Sequence, residues 1–350
     1  MKTRDTDFDR LLSVRPGDLE ALQARLEPEC LLLQYYPGSD ALYVMALTRE
    51  RYAVRRVGVD RRRLEELVGR YRESLQDPSR ALDLEAGRLL YGFLIEPVRD
   101  LAEGRRALRL VPGGVLWYLP FDALPRPQPQ GGFLVQDWQT STLASANVLN
   151  LLLARGRPED LHVVGVGAPE GVDLPGTLAE LKALQRAWPH ARLLTGSQAG
   201  LRRVMEAANG ADVLHLGTHG TVDAQDPNAS GLHLADGTLR LADLYGLRLA
   251  PGSLAVLSAC QTGLAGEVPG RDLASLAQGL ATAGASTVVA SLWSVDDAAT
   301  AELFDEFYVR LAGGGARAEA LRQARLALLA RPERAHPFYW AAFTLLGDPD

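Results

Sequence analysis

The apolar positions of this chain change their period along its length. Between Cys30 and Val59 they form three short runs, Cys30–Tyr36, Ala41–Thr48 and Tyr52–Val59, with a Pro37-Gly38-Ser39-Asp40 turn between the first two. That pattern predicts a β-meander. From Arg61 to Leu75 and from Leu82 to Val98 the apolar residues recur at helical spacing. Arg106–Val111 and Val115–Leu119 predict another hairpin, turned at Pro112-Gly113-Gly114. A proline- and glycine-rich loop, Pro125–Gly132, reads as exposed. A helix over Ser145–Leu153 then leads into Arg155-Gly156-Arg157-Pro158, which divides a region 1–158 from a region 159–350.

In the second region strand-like and helix-like segments alternate. Strands are expected at Leu161–Val166, Ala191–Leu194, Asp212–Leu216, Leu254–Ser258, Ser286–Leu292 and Tyr339–Leu346. Helices are expected at Thr177–Trp188, Ala199–Ala208, Leu273–Ala283, Asp297–Leu311 and Arg317–Leu329, with a hairpin-like piece at Gly231–Leu241. Such alternation implies an α/β fold, a largely parallel sheet with helices on both faces. A smaller α+β N-terminal half precedes it. Ligands of such sheets bind beyond the carboxyl ends of the strands. No internal repeat of solenoid length is visible.

Composition narrows the classes. The 350 residues suffice for two ordinary domains or one large one. A hydrophobic fraction of 47% and a charged fraction of 23% suit a soluble globular protein. A net charge of -6, without a basic stripe interleaved with aromatics, argues against a nucleic-acid partner. Met1–Asp7 lacks the apolar core of a signal peptide, and no apolar run is long enough to span a bilayer. No membrane partner is therefore expected, and the location is read as cytoplasmic. Two cysteines exclude a disulfide framework or a cysteine-rich zinc site, and a reducing compartment keeps a thiol active.

Two segments carry the candidate chemistry. Leu214–Gly220 and Val256–Gly263 are apolar runs that each end in a reactive side chain followed by glycine, His219 and Cys260 respectively. An imidazole beside a thiol lowers the thiol pKa or takes its proton, which is the equipment of nucleophilic acyl transfer. The attacked carbonyl becomes an oxyanion that needs aligned N–H donors. The backbone N–H groups of Gly220 and Cys260 are the candidates. The other thiol, Cys30, begins an apolar strand and reads as core.

These residues stand within an ordered set of motifs: Trp117–Leu124, Ser141–Leu149, Leu174–Thr177, Gly217–Gly220, Leu257–Gly263, Gly279–Ala290, Ser291–Asp297 and His336–Phe343. The set resembles the CHAT peptidases, caspase-related cysteine peptidases with separase among their relatives. Gln261 stands where that family usually has glutamate. The resemblance implies a caspase-like sandwich, a His219/Cys260 dyad, and protein cleavage through a thioester on Cys260, with no metal or organic cofactor. It also implies that the first half is a supporting, caspase-like half without a dyad of its own. By the same resemblance Asp297, and beside it Asp296, would bind a basic side chain preceding the cut. From sequence alone, Asp297 followed by Ala-Ala-Thr-Ala-Glu is instead a helix N-cap.

The same residues admit other readings. His215 lies four residues before His219, but on a strand rather than a helix, so a zinc pair is disfavoured and a packed histidine favoured. The Gly165–Gly171 segment lacks the spacing and the acidic ribose ligand of a dinucleotide fingerprint. His233 and His336 fall in loop or edge positions, and Asp243 and Asp272 are not needed by a dyad. A protein substrate and a separate activator or sensor protein are the expected partners. A catalytically silent scaffold is the main alternative. An α/β hydrolase is disfavoured by the absence of a Gly-x-Ser-x-Gly elbow.

Overall fold

The chain builds one long sheet whose two halves run in opposite directions. The computed structural model describes residues 19–146, 160–171, 174–221, 231–258 and 271–350. The 155–158 boundary, Cys260, Gln261 and most of the Ser145–Leu153 segment lie outside them. In chain order the strands are β1 Cys30–Pro37, β2 Leu42–Leu47, β3 Tyr52–Val57, β4 Ala107–Val111, β5 Gln139–Thr142, β6 Val163–Pro169 and β7 Arg192–Gly196. They continue as β8 Val213–Gly217, β9 Gly220–Thr221, β10 Gly231–Leu234, β11 Gly237–Arg240, β12 Ser253–Leu257, β13 Ala285–Ser291 and β14 Phe343–Gly347. Among the described residues eleven strands pair in the order β3-β2-β1-β4-β5-β14-β13-β12-β8-β6-β7, and β11-β10-β9 form a separate small sheet.

The first three strands are the expected antiparallel meander. From β1 the sheet continues in parallel through β4, β5 and β14. Direction then reverses at the antiparallel β14–β13 pair. Past the reversal β13, β12, β8, β6 and β7 are parallel. The carboxyl ends of the two halves therefore lie at opposite edges of the sheet.

Among the described residues the longer helices are α1 Leu19–Arg25, α2 Arg61–Leu75, α3 Leu84–Leu94, α4 Pro175–Ala187, α5 Leu201–Ala208, α6 Leu241–Gly246, α7 Arg271–Ala283, α8 Asp297–Ala312 and α9 Arg317–Leu329. Asp60 caps α2 by accepting from the Arg63 N–H at 2.8 Å, and Asp83 caps α3 by accepting from Ala86 N–H at 3.0 Å. On one face α2, α3, α4, α8 and α9 bury Leu64, Leu67, Leu90, Leu184, Phe304 and Leu321 in a single core. On the other, α5, α6 and α7 bury Val204, Leu244 and Leu280, while Leu22 of α1 and Leu26 just after it cover Cys30, Leu32 and Leu47. Each such leucine contributes roughly 1.5–3 kcal/mol relative to exposure.

Two local expectations fail, each for its own reason. Val115–Leu119 does not fold back on β4; Gly114–Tyr118 is a 3-10 turn instead. Both edges of β4 are already taken, by β1 and by β5. The competitor, β5, is the polar stretch Gln139-Thr140-Ser141-Thr142, which has no apolar alternation to signal a strand, yet Thr140–Thr142 are buried. The last strand also starts later than expected, at Phe343, because Pro337–Tyr339 forms a 3-10 turn.

Candidate active site

Adjacent parallel strands carry the two segments singled out in the sequence. Leu216 of β8 lies opposite Leu257 of β12, and Ser258 N–H donates to Leu216 C=O at 2.9 Å. Beyond this pairing β8 leads to Thr218, His219 and Gly220. After Ser258 the other segment continues to Ala259 and Cys260, which lie outside the described residues. His219 is exposed, and Gly220 opens β9. His233 N–H donates to His219 C=O at 2.8 Å, and the Thr218 hydroxyl donates to His233 C=O at 2.6 Å.

The strand end is packed tightly from below. Thr177, buried in the first turn of α4, presses its methyl group on Gly217; a Cβ at Gly217 would stand 2.6 Å from it. The same methyl excludes a Cβ from Gly167 on β6, and Gly165 receives Leu181 and Leu184 of α4. These glycines therefore serve helix–sheet packing.

Four residues before His219, on β8, His215 is fully buried. Its Nδ1 lies 2.6 Å from the Tyr308 hydroxyl of α8, and its Nε2 lies 3.2 Å from Glu180 Oε2 of α4. Burial and the Glu180 charge hold the Tyr308 hydroxyl well above its ordinary pKa, so it remains a neutral O–H. The three side chains tie β8 to α4 and α8. The sequence held a signal for this: Glu180 falls on the apolar face of α4, in step with Thr177 and Leu184, and a buried acid needs a partner.

Asp296 and Asp297 begin α8 at the same edge of the sheet. The N-cap is Asp296, one residue earlier than expected; it accepts from Ala299 N–H at 2.8 Å and pairs with Arg334 at 3.2 Å. Asp297 is exposed, and no hydrogen bond or ion pair to another described residue engages its carboxylate. It lies on Gly176 in the first turn of α4, where a Cβ would come within 2.4 Å of the Asp297 Cβ. Lacking a side chain, Gly176 leaves the space that Asp297 occupies.

The remaining candidates divide between local caps and core. Asp243 accepts from Arg240 N–H at 2.8 Å at the start of α6, and Asp272 lies in α7. His336 Nδ1 accepts from Phe338 N–H at 3.1 Å, and burial lowers its pKa. Cys30 is 1% exposed, and burial pushes its thiol up to about 12. Such a thiol is inert at neutral pH.

Comparison with known proteins agrees with this architecture. The model of the CHAT domain matches residues 84–348, most of the chain. The chain belongs to the CHAT domain family. Within the solved structures, this CHAT domain superposes on Saccharomyces cerevisiae separase, from a separase–securin complex, with a TM-score of 0.64 at 12% identity, covering 99% of this chain and 31% of separase. On the Arg specific cysteine proteinase gingipain R the TM-score is 0.50 at 15% identity, covering 79% of this chain and 69% of that one. The fold is thus that of the caspase-like cysteine peptidases. By sequence it is 29% identical over 192 residues to Tetratricopeptide repeat protein 28 of Mus musculus, 44% of this chain and 8% of that protein. The chain spans less than a third of separase and less than a tenth of the mouse protein. No described helix is long and apolar enough to cross a membrane.

Proposed function

We propose that this CHAT domain is a cysteine endopeptidase working through His219 and Cys260. The observation that carries the reading is the pairing of β8 with β12, which sends the His219 segment and the segment leading to Cys260 off the same edge of the sheet. Chain connectivity keeps the Cys260 Cα within about 7–8 Å of that of Ser258, which is still hydrogen-bonded to β8. The burial of Cys30 leaves Cys260 as the one cysteine of the two available for nucleophilic work.

In this mechanism His219 takes the Cys260 proton, and the thiolate attacks the substrate carbonyl. The resulting oxyanion is held by the N–H groups of Gly220 and Cys260. Gly220 suits that role. Because His219 and His233 form a hydrogen-bonded position of the β9–β10 ladder, the next pair, Gly220 and Leu232, is a non-hydrogen-bonded one. Its N–H accordingly faces away from β10. Collapse of the intermediate expels the amine, protonated by His219, and leaves a thioester. Water, activated by the same imidazole, hydrolyses it.

Asp297 is the proposed receptor for a basic side chain preceding the cut. Support comes from the division of labour between neighbours: Asp296 is committed to the helix cap and Arg334, whereas Asp297 faces solvent. The gingipain of similar fold is Arg specific. A protein substrate and a separate regulatory protein complete the proposal; the separase of similar fold was solved with securin. The test is cleavage of a proteome-derived peptide library by wild type, Cys260→Ala and Asp297→Asn. Cuts after Arg or Lys that vanish in Cys260→Ala and weaken in Asp297→Asn are expected. Cuts that persist without Cys260, or none from any variant, would overturn the reading in favour of a binding scaffold.

A further inference from the structure

The His219 segment is exposed, and its described hydrogen bonds run to one neighbour, the β10–β11 hairpin. Three contacts centre on His233. Its N–H donates to His219 C=O at 2.8 Å, its C=O accepts from the Thr218 hydroxyl at 2.6 Å, and its ring Nε2 is hydrogen-bonded to the Thr221 hydroxyl. Thr218, His219 and Thr221 are thus all held by one residue of β10.

The far end of the hairpin is fixed as well. Asp236, at its turn, accepts from Leu201 N–H at 2.6 Å and so caps α5, while Ala235 N–H donates to Ala199 C=O at 2.9 Å. Between the two ends Leu232, Leu234 and Leu239 are buried in the core under α5 and α6. One face of the hairpin is anchored, and the other presents His233. Residues directly opposite in an antiparallel ladder share a face, with Cα atoms about 5.5 Å apart at a hydrogen-bonded position. The ladder thus sets His233 opposite His219 and on the face where its ring meets Thr221.

We propose that His233 is a positioning residue for His219, and that the β10–β11 hairpin is the brace through which it acts. The consequence for catalysis rests on the peptidase reading above; the geometry does not. The main-chain contacts set the height of the His219 backbone, and the ring–hydroxyl contact locks Thr221 and restricts the rotamers open to the neighbouring imidazole. A base displaced by about 1 Å can lose on the order of a hundredfold in rate.

The experiment compares His233→Phe, Thr221→Val, their double variant and His233→Gln, each confirmed as folded by thermal melting. In the 15N-histidine spectrum the His219 ring signals are expected to shift or broaden in His233→Phe and Thr221→Val. They should stay near wild type in His233→Gln, whose amide can still accept from Thr221. With a peptide substrate, the first two variants should lose about tenfold in kcat at nearly constant KM, and the double variant no more than either. Unchanged His219 signals in both single variants would overturn the brace, as would additive losses in the double variant. The ring spectrum needs no turnover. A wild type that cuts nothing would therefore sink the peptidase reading while the spectrum still decides the brace.

Discussion

The strand-end connections of the two sheet halves handle polar groups differently. In the first half, the connection from β4 to β5 carries Asp122, whose carboxylate is 2.9 Å from buried Arg325 of α9 and accepts from the Thr140 hydroxyl at 2.9 Å. Arg325 also donates to Phe343 C=O at 2.5 Å, joining that connection to the central strand β14. In the second half, the connections past β8 and β13 present His219 and Asp297 to solvent. The β4–β5 connection thus uses its polar groups for cohesion, whereas the connections past β8 and β13 leave His219 and Asp297 exposed above a second half that itself buries the His215–Glu180–Tyr308 cluster. A burial map alone would rank Asp122 and Arg325 as the more unusual residues, yet it is the exposed, uncommitted groups that can meet a substrate.

The sharpest way to break this comparison is to exchange the two cysteines' fates. Cys260→Ala should lower peptide cleavage on the order of a thousandfold or more, while Cys30→Ser leaves it within about twofold after correction for stability. Steady-state kinetics on both variants checks this. Next in size is Asp122→Ala, which strands the Arg325 charge in the core. A loss of about 3–5 kcal/mol in denaturant unfolding is expected, against a smaller loss when both partners are replaced together by apolar residues. Removing one partner and removing the pair should differ if the pair is structural.

Smaller effects separate the adjacent aspartates. Asp296→Ala removes a helix cap and should cost about 1 kcal/mol of stability, whereas Asp297→Ala should change stability by less than about 0.5 kcal/mol and act on substrate preference instead. The smallest effect concerns pH. Burial lowers the His336 pKa from its ordinary 6.5, with nearby Asp77 opposing, so the unfolded chain binds more protons here than the folded one. Stability from this group is fully present above about pH 6.5 and is lost as pH falls below that through the lowered pKa of the folded state. Melting curves between pH 7 and 5 should show a shallower acid loss in His336→Gln.

Much of the fold was legible because local signals and burial agree. The α2 and α9 helices fall at Arg61–Leu75 and Arg317–Leu329, the bounds that periodicity predicts. Where tertiary pairing decides, sequence misleads: β5 is a polar tetrapeptide that becomes a strand by lying between β4 and β14, and its presence denies β4 the hairpin its neighbour suggested. Around the candidate site, the exposed position of His219 just past a strand end was legible from an apolar run ending in His-Gly, and the α8 start from its aspartates. The contacts of His233 were not. Its partners lie 12 to 15 residues away, and only the ladder brings them together.

The central claim is that His219 activates Cys260 while Cys30 stays silent. Site-resolved alkylation by iodoacetamide near pH 7, followed by peptide mass spectrometry, tests it without any substrate. The account predicts rapid labelling of Cys260 that slows at least about tenfold in His219→Ala. It also predicts that Cys30 is labelled only when the protein unfolds. Equal labelling of the two thiols in the folded protein, or a Cys260 rate indifferent to His219, would contradict it.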